Sequence, residues 1–209
     1  LRKGTLNSNR KAALRVSFIA GGKIYNIGYS GVPVKKGDKY NLYFMLKSDA
    51  DVSFIASLES EDGASLGRCN IAVQQSSGYR RYDCELTAVD TDFKGRFSLC
   101  CDSDCTVTLG FISLMPEKTF MGHGLREDLA MMLKNTHAKF IRFPGGCVVE
   151  GINEQNALSF SRTIGPVWER PSSQLMWHYR TTNGLGFHEF LQLCEDLEME
   201  AMYVCNCGM

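Results

Sequence analysis

The hydrophobic periodicity of this sequence changes once, at Met115-Pro116, and no single packing scheme serves both sides of that point. Upstream, apolar residues alternate with polar ones: Leu14, Val16 and Phe18; Tyr40, Leu42, Phe44 and Leu46; Val52, Phe54, Ala56 and Leu58; Phe97, Leu99 and Cys101. Successive side chains of a strand point to opposite faces, so this pattern buries one face and wets the other. Turn signals at Gly21-Gly22, Lys36-Gly37-Asp38, Glu61-Asp62-Gly63 and Ser76-Ser77-Gly78 separate the runs at the spacing of an all-β sandwich. The last strand is expected over Thr106 to Leu114, which makes residues 1–116 one domain.

Downstream the period lengthens. Leu125, Leu129, Met132 and Leu133 recur at helical spacing up to Lys134, and Lys139 to Phe143 follows as a short apolar strand. A second helix is expected over Phe187 to Leu197, with Phe187, Phe190, Leu191 and Cys194 on one stripe, then a second strand from Ala201 to Cys207. Helices alternating with buried strands imply a parallel sheet, doubly wound or closed into a barrel, over residues 117–209. A connection of about forty residues separates the first strand from the second helix, and loops of that length are more often functional than idle.

Composition narrows the partners. Lysine plus arginine equals aspartate plus glutamate at 23 each, so no net field draws the chain to nucleic acid or to an anionic membrane. No apolar run approaches the roughly 18 residues of a membrane span, and Leu1-Arg2-Lys3-Gly4 does not begin a signal peptide. The missing start methionine leads to the expectation that the natural N-terminus lies upstream. Nine cysteines are many for 209 residues, but their odd number and spacing define no disulfide framework. Cys100, Cys101 and Cys105 crowd one expected hairpin, and Cys205 and Cys207 share a strand face. Buried or free thiols, a disulfide among the first five cysteines and a metal site all stay open, although no paired zinc spacing occurs.

The sharpest local feature is Phe140-Ile141-Arg142-Phe143-Pro144-Gly145-Gly146-Cys147. Proline and two glycines directly after a strand make the chain leave the sheet and let something approach its backbone. In a parallel barrel the ligand-contacting side chains lie at such strand ends, which suits Arg142 and Cys147. A plain turn beside a buried, paired arginine is the competing reading.

The wider pattern runs from Arg142 to Gly151, through Ile164-Gly165-Pro166, Glu169-Arg170-Pro171, Trp177, Thr182-Asn183-Gly184-Leu185-Gly186 and Glu189-Phe190, to Tyr203-Val204-Cys205-Asn206-Cys207-Gly208-Met209. In order and spacing it resembles the family-51 α-L-arabinofuranosidases. Phe120 to Arg126 and Asn26 to Gly31 resemble the two ends of an inserted sandwich in that family's plant-like branch. The resemblance implies a jelly-roll, carbohydrate-binding-module-like β-sandwich followed by the first part of a (β/α)8 TIM barrel. It implies a retaining glycosidase that removes terminal arabinofuranose from arabinoxylan, arabinan or arabino-oligosaccharides. Its partners would be arabinofuranosyl glycans, with no nucleic acid, membrane, cofactor or metal, and the full-length enzyme could be a homo-oligomer. The compartment is left open.

Retention requires two carboxylates about 5 to 5.5 Å apart. In the family they follow the fourth and seventh barrel strands, outside this chain. Glu150, Glu154, Glu169, Glu189 and Glu195 match neither position, and Glu189 and Glu195 read as a solvated helix face. The resemblance carries over substrate-side chemistry instead. Arg142 would hold a catalytic carboxylate ionised, while Cys147, Trp177 and Asn206 would line the sugar pocket. A non-catalytic carbohydrate-binding protein acting through the sandwich, with Tyr25, Tyr29, Tyr43, Tyr79 and Tyr82 as a possible stacking platform, is the alternative. A redox or metal protein built on the cysteines is a third reading.

Overall fold

A computed structural model describes residues 4–153 and 156–207, so Glu154 and the closing Gly208-Met209 lie outside the described residues. The chain divides into two compact units: residues up to Leu6 with Ala12–Lys118, and Asn7–Lys11 with the chain from Thr119 onward.

The first unit is built of β1 (Leu14–Phe18), β2 (Lys23–Asn26), β3 (Val32–Val34), β4 (Lys39–Ser48), β5 (Val52–Glu59), β6 (Ser65–Val73), β7 (Arg80–Thr87), β8 (Asp92–Cys101) and β9 (Cys105–Pro116). One antiparallel sheet has the order β1-β9-β4-β7; the other runs β2-β8-β5-β6, with β3 also paired to β8. The two inner faces share one core, in which Leu42, Phe44 and Leu46 of β4 lie with Phe54, Ala56 and Leu58 of β5 and Leu99 of β8. Each fully buried leucine or phenylalanine contributes roughly 1.5–3 kcal/mol. The unit is a β-sandwich. Leu14 departs from the expected face and is exposed, because it opens β1, an edge strand paired only with β9.

The expected hairpin at Cys100 to Cys105 is not one. β8 belongs to the five-stranded sheet and β9 to the four-stranded sheet, so the segment between them is an arch that crosses from one layer to the other. Alternation recognises two strands but cannot tell a pairing turn from a crossing one. Of the open cysteine readings, a disulfide is found once, between Cys69 of β6 and Cys84 of β7, which joins the edges of the two sheets.

The second unit comprises α1 (Glu127–Lys134), β10 (Phe140–Phe143), α2 (Gly146–Glu150), β11 (Ser173–Gln174), β12 (Arg180–Thr181), α3 (Phe187–Leu197) and β13 (Glu200–Tyr203). β10 and β13 are parallel, with Arg142 opposite Met202 and Phe143 opposite Tyr203. β13 is shorter than expected: Val204 N–H still donates to Phe143 O at 2.8 Å, but Cys205 and Cys207 lie beyond the strand and are exposed. On α3 the buried positions are Leu193, Cys194 and Leu197, and Leu191 is turned to solvent. On α1 only Ala130 is buried, while Leu129, Met131, Met132 and Leu133 are exposed. Helical periodicity names an apolar face without saying what covers it.

The long connection is not structureless. Besides α2 and the β11–β12 pair it contains two 3-10 turns, Phe160–Thr163 and Val167–Glu169. The second turn is held by the N-terminal segment: Asn7 Nδ2 donates to Trp168 O at 2.9 Å, Asn9 Nδ2 to Glu169 O at 2.8 Å and Arg10 Nη2 to Val167 O at 2.8 Å.

Candidate functional site

The site is assembled at the C-terminal end of β10. The Phe143-Pro144 peptide is cis, and Gly145 and Gly146 follow with φ of 83° and 45°, the left-handed region that glycine enters freely. A Cβ on Gly145 would lie 2.5 Å from Arg142 Nη1, so the missing side chain is what lets the guanidinium lie across this turn. Arg142 is exposed and, among the described residues, makes no hydrogen bond or ion pair. The competing reading, a plain turn beside a buried, paired arginine, does not fit this exposed side chain. On the opposite side of β10, Phe143 is buried and stacks on Phe190 at 4.3 Å between ring centroids.

Cys147 lies in the first turn of α2 with its thiol free and exposed. Asn206 reaches the same short helix, donating from Nδ2 to Val149 O at 3.0 Å. Arg142, Cys147 and Asn206 thus gather around the turn after β10 and the helix that it opens. Trp177 does not join them through any hydrogen bond or ring contact among the described residues. It is half-exposed in the β11–β12 turn and stacks on Tyr179 at 6.0 Å.

What sequence reasoning missed is the clasp that shapes the long loop. Arg170 is buried and spends its guanidinium on three backbone carbonyls, Gly165 O (2.9 Å), Asn183 O (2.9 Å) and Gly184 O (3.2 Å), and on both oxygens of Glu189 (2.7 and 3.0 Å). Glu189 also accepts from Gly186 N–H at 2.9 Å, which caps α3. Burial alone would raise the Glu189 carboxyl, but the hydrogen bonds from Arg170 and from backbone N–H groups, with the guanidinium charge, together outweigh it and hold the group below its ordinary value. Glu189 is therefore not the solvated face residue expected. Its position three residues after Gly186 at a helix start was the available signal. Gly186 is needed as well, because a Cβ there would sit 2.2 Å from Thr163 O.

Glu150, Glu169 and Glu195 are exposed. Among the described residues no group of His, Cys, Asp or Glu is placed to hold a metal ion, and no helix is long and apolar enough to cross a membrane.

The five tyrosines form no common platform. Tyr82 packs on Phe44 against the core, Tyr79 donates to Gly4 O, Tyr43 lies beneath Arg81, Tyr25 lies beneath Arg96 and Tyr29 is fully exposed. Beside Tyr25, on the outer face of the five-stranded sheet, Glu59 is buried and bonded to Ser98 (2.7 Å), Lys23 (2.9 Å) and Arg96 (3.2 Å).

Residues 132–209 match the family described as "Alpha-L-arabinofuranosidase 1 domain". Alpha-L-arabinofuranosidase 1 of Arabidopsis thaliana is 33% identical over 95% of this chain, and an extracellular exo-alpha-L-arabinofuranosidase of Streptomyces chartreusis is 28% identical over 93%. The chain spans 31% and 24% of these two relatives. An arabinose-bound GH51 α-L-arabinofuranosidase superposes with a TM-score of 0.89 over 96% of this chain and 35% of its own, at 24% identity.

Proposed function

We propose that this chain, which belongs to the family-51 α-L-arabinofuranosidases, supplies an accessory sandwich and the first strands of a (β/α)8 barrel to an enzyme that removes terminal α-L-arabinofuranosyl residues with retention. The substrates are arabinoxylan, arabinan or arabino-oligosaccharides. Residues 1–116 are the carbohydrate-binding-module-like domain and residues 117–209 the opening of the catalytic barrel.

One observation carries the reading: Arg142 stands exposed, and without a partner among the described residues, at the C-terminal end of a parallel strand. The same face of the strand pair carries Phe140 and Met202, both exposed, while α3 packs on the other. Parallel strands are ordinarily covered on both faces, and a barrel fills its interior with side chains from successive strands. A guanidinium at that rim can donate two parallel hydrogen bonds to a carboxylate and keep it ionised. Both catalytic glutamates come from outside these 209 residues. One protonates the leaving oxygen and the other attacks the anomeric carbon. Cys147 and Asn206 border the sugar, and Trp177 offers an apolar ring to its C–H side. Asn206 serves in addition to hold α2 through Val149 O.

The test is hydrolysis of an aryl α-L-arabinofuranoside. The intact protein is expected to turn it over and the isolated 209-residue chain is not. Turnover by the isolated chain that a glutamate substitution within it abolishes contradicts the proposal, as does an inactive intact protein.

A second reading, glycan binding by the sandwich itself, is favoured by the exposed Tyr25 ring beside the Glu59 cluster. Loss of arabinoxylan retention on Tyr25→Ala, with turnover of the aryl substrate unchanged, supports it. Unchanged retention removes it.

A further inference from the structure

In the core of the sandwich the sulfur atoms of Cys101 and Cys105 lie 3.4 Å apart, and both residues are buried. Their closeness follows from the arch. Cys101 ends β8 in one sheet, Cys105 begins β9 in the other, and only Asp102, Ser103 and Asp104 carry the chain across. Both side chains point into the space between the layers. Adjacent residues of a strand point to opposite faces, so Cys100 is directed outward, where its sulfur approaches Gly21 O at 3.6 Å. One member of the adjacent pair alone can meet Cys105. The same unit already holds one link between its sheets, Cys69–Cys84, placed at their β6 and β7 edges.

We propose that Cys101 and Cys105 form a second cystine, joining the two sheets at the arch as Cys69–Cys84 joins them at their edges. The oxidant is a small external disulfide such as oxidised glutathione. One cysteine thiolate attacks a sulfur of that disulfide, expels one small thiol and forms a mixed disulfide. The other cysteine thiolate then attacks the protein sulfur of the mixed disulfide and expels the second small thiol. One S–S bond forms in the protein and one breaks in the oxidant; two electrons and two protons pass from the cysteines to the two small thiols. Burial, with the Cys101 thiol alongside, pushes the Cys105 thiol up to about 12, so Cys105 offers almost no thiolate once the core has closed. Both cysteines are buried once the sheets pack, out of reach of an external disulfide, so the exchange belongs to folding, before the sheets close, and the cystine is a structural link.

The test folds the full-length protein in a glutathione redox buffer, denatures it with an alkylating agent and no reductant, and digests it with trypsin. Cleavage after Arg96 and Lys118 leaves Cys100, Cys101 and Cys105 on one peptide. The expected peptide carries a single alkyl group, on Cys100, and accepts two more only after reduction. Three alkyl groups before reduction, a single group on Cys101 or Cys105, or glutathione retained on either of them overturns the proposal.

Discussion

The two units bury their apolar residues to very different degrees. The sandwich encloses a core of twenty-one buried residues between two sheets, whereas the second unit's principal cluster has five, and leaves Leu129, Met132, Phe140 and Met202 in the open. Both sheets of the sandwich are sealed by each other; among the described residues the two parallel strands have a helix on one side only. A unit's stability follows the area that it removes from water, so the sandwich should stand alone and the α/β unit should lean on further structure.

The largest expected effect breaks the sandwich. Phe54→Ala removes a ring that is fully buried and packed edge-on against Phe18, and it should cost about 3–5 kcal/mol in chemical denaturation. A loss below about 1 kcal/mol would show that this core is not what holds the unit.

Next comes the clasp. Arg170→Ala strands Glu189 and three carbonyls and should cost about 3 kcal/mol, confined to the second unit, with faster amide exchange across residues 163–186. Exchange spread evenly through both units would contradict a local role.

A smaller effect carries a pH signature. Burial raises the Glu59 carboxyl, but its bonds to Ser98, Lys23 and Arg96 prevail and leave it below the ordinary 4.5. A lowered folded value means that this stabilisation is complete above pH 4.5 and is lost as pH falls through the folded value. Glu59→Gln should therefore cost about 1–2 kcal/mol at pH 7, and progressively less as the pH is lowered below 4. A cost that does not vary with pH would assign the effect to packing.

Limited trypsin digestion sharpens the comparison without a substitution. Cutting should begin at Lys118 or in the second unit and release a resistant piece ending between Pro116 and Gly124. Early cuts inside residues 12–116 would reverse the order of stability. The least effect on stability is expected of Trp177→Ala, within about 0.5 kcal/mol, since the ring is half-exposed. In the intact protein it should act mainly on KM, and a change confined to kcat would remove Trp177 from the sugar's ground-state contacts.

These contrasts also mark what the sequence made legible. Tyr40 to Leu46 and Val52 to Leu58 could be read because period and cover coincide: each inward residue meets the opposite sheet. The extent of α3 was legible for the same reason, but Leu191 was assigned to the wrong side because the stripe was drawn one residue too wide. Cys105 was misread because a turn and an arch share the same local pattern, and the difference lies in pairing partners far along the chain. The Arg170–Glu189 clasp, nineteen residues apart, was invisible to spacing rules that reach only three or four. At the candidate site the Pro-Gly-Gly run marked where the chain leaves β10, and the role of Gly145 became clear only from the guanidinium lying against it.

The most direct measurement is steady-state kinetics of Arg142→Lys in the intact protein with an aryl α-L-arabinofuranoside. Lysine keeps the charge and loses the planar pair of donors, so kcat should fall at least ~10-fold while KM changes little. An unchanged kcat would contradict the reading of Arg142 as the group that holds a catalytic carboxylate and return it to the surface of a turn.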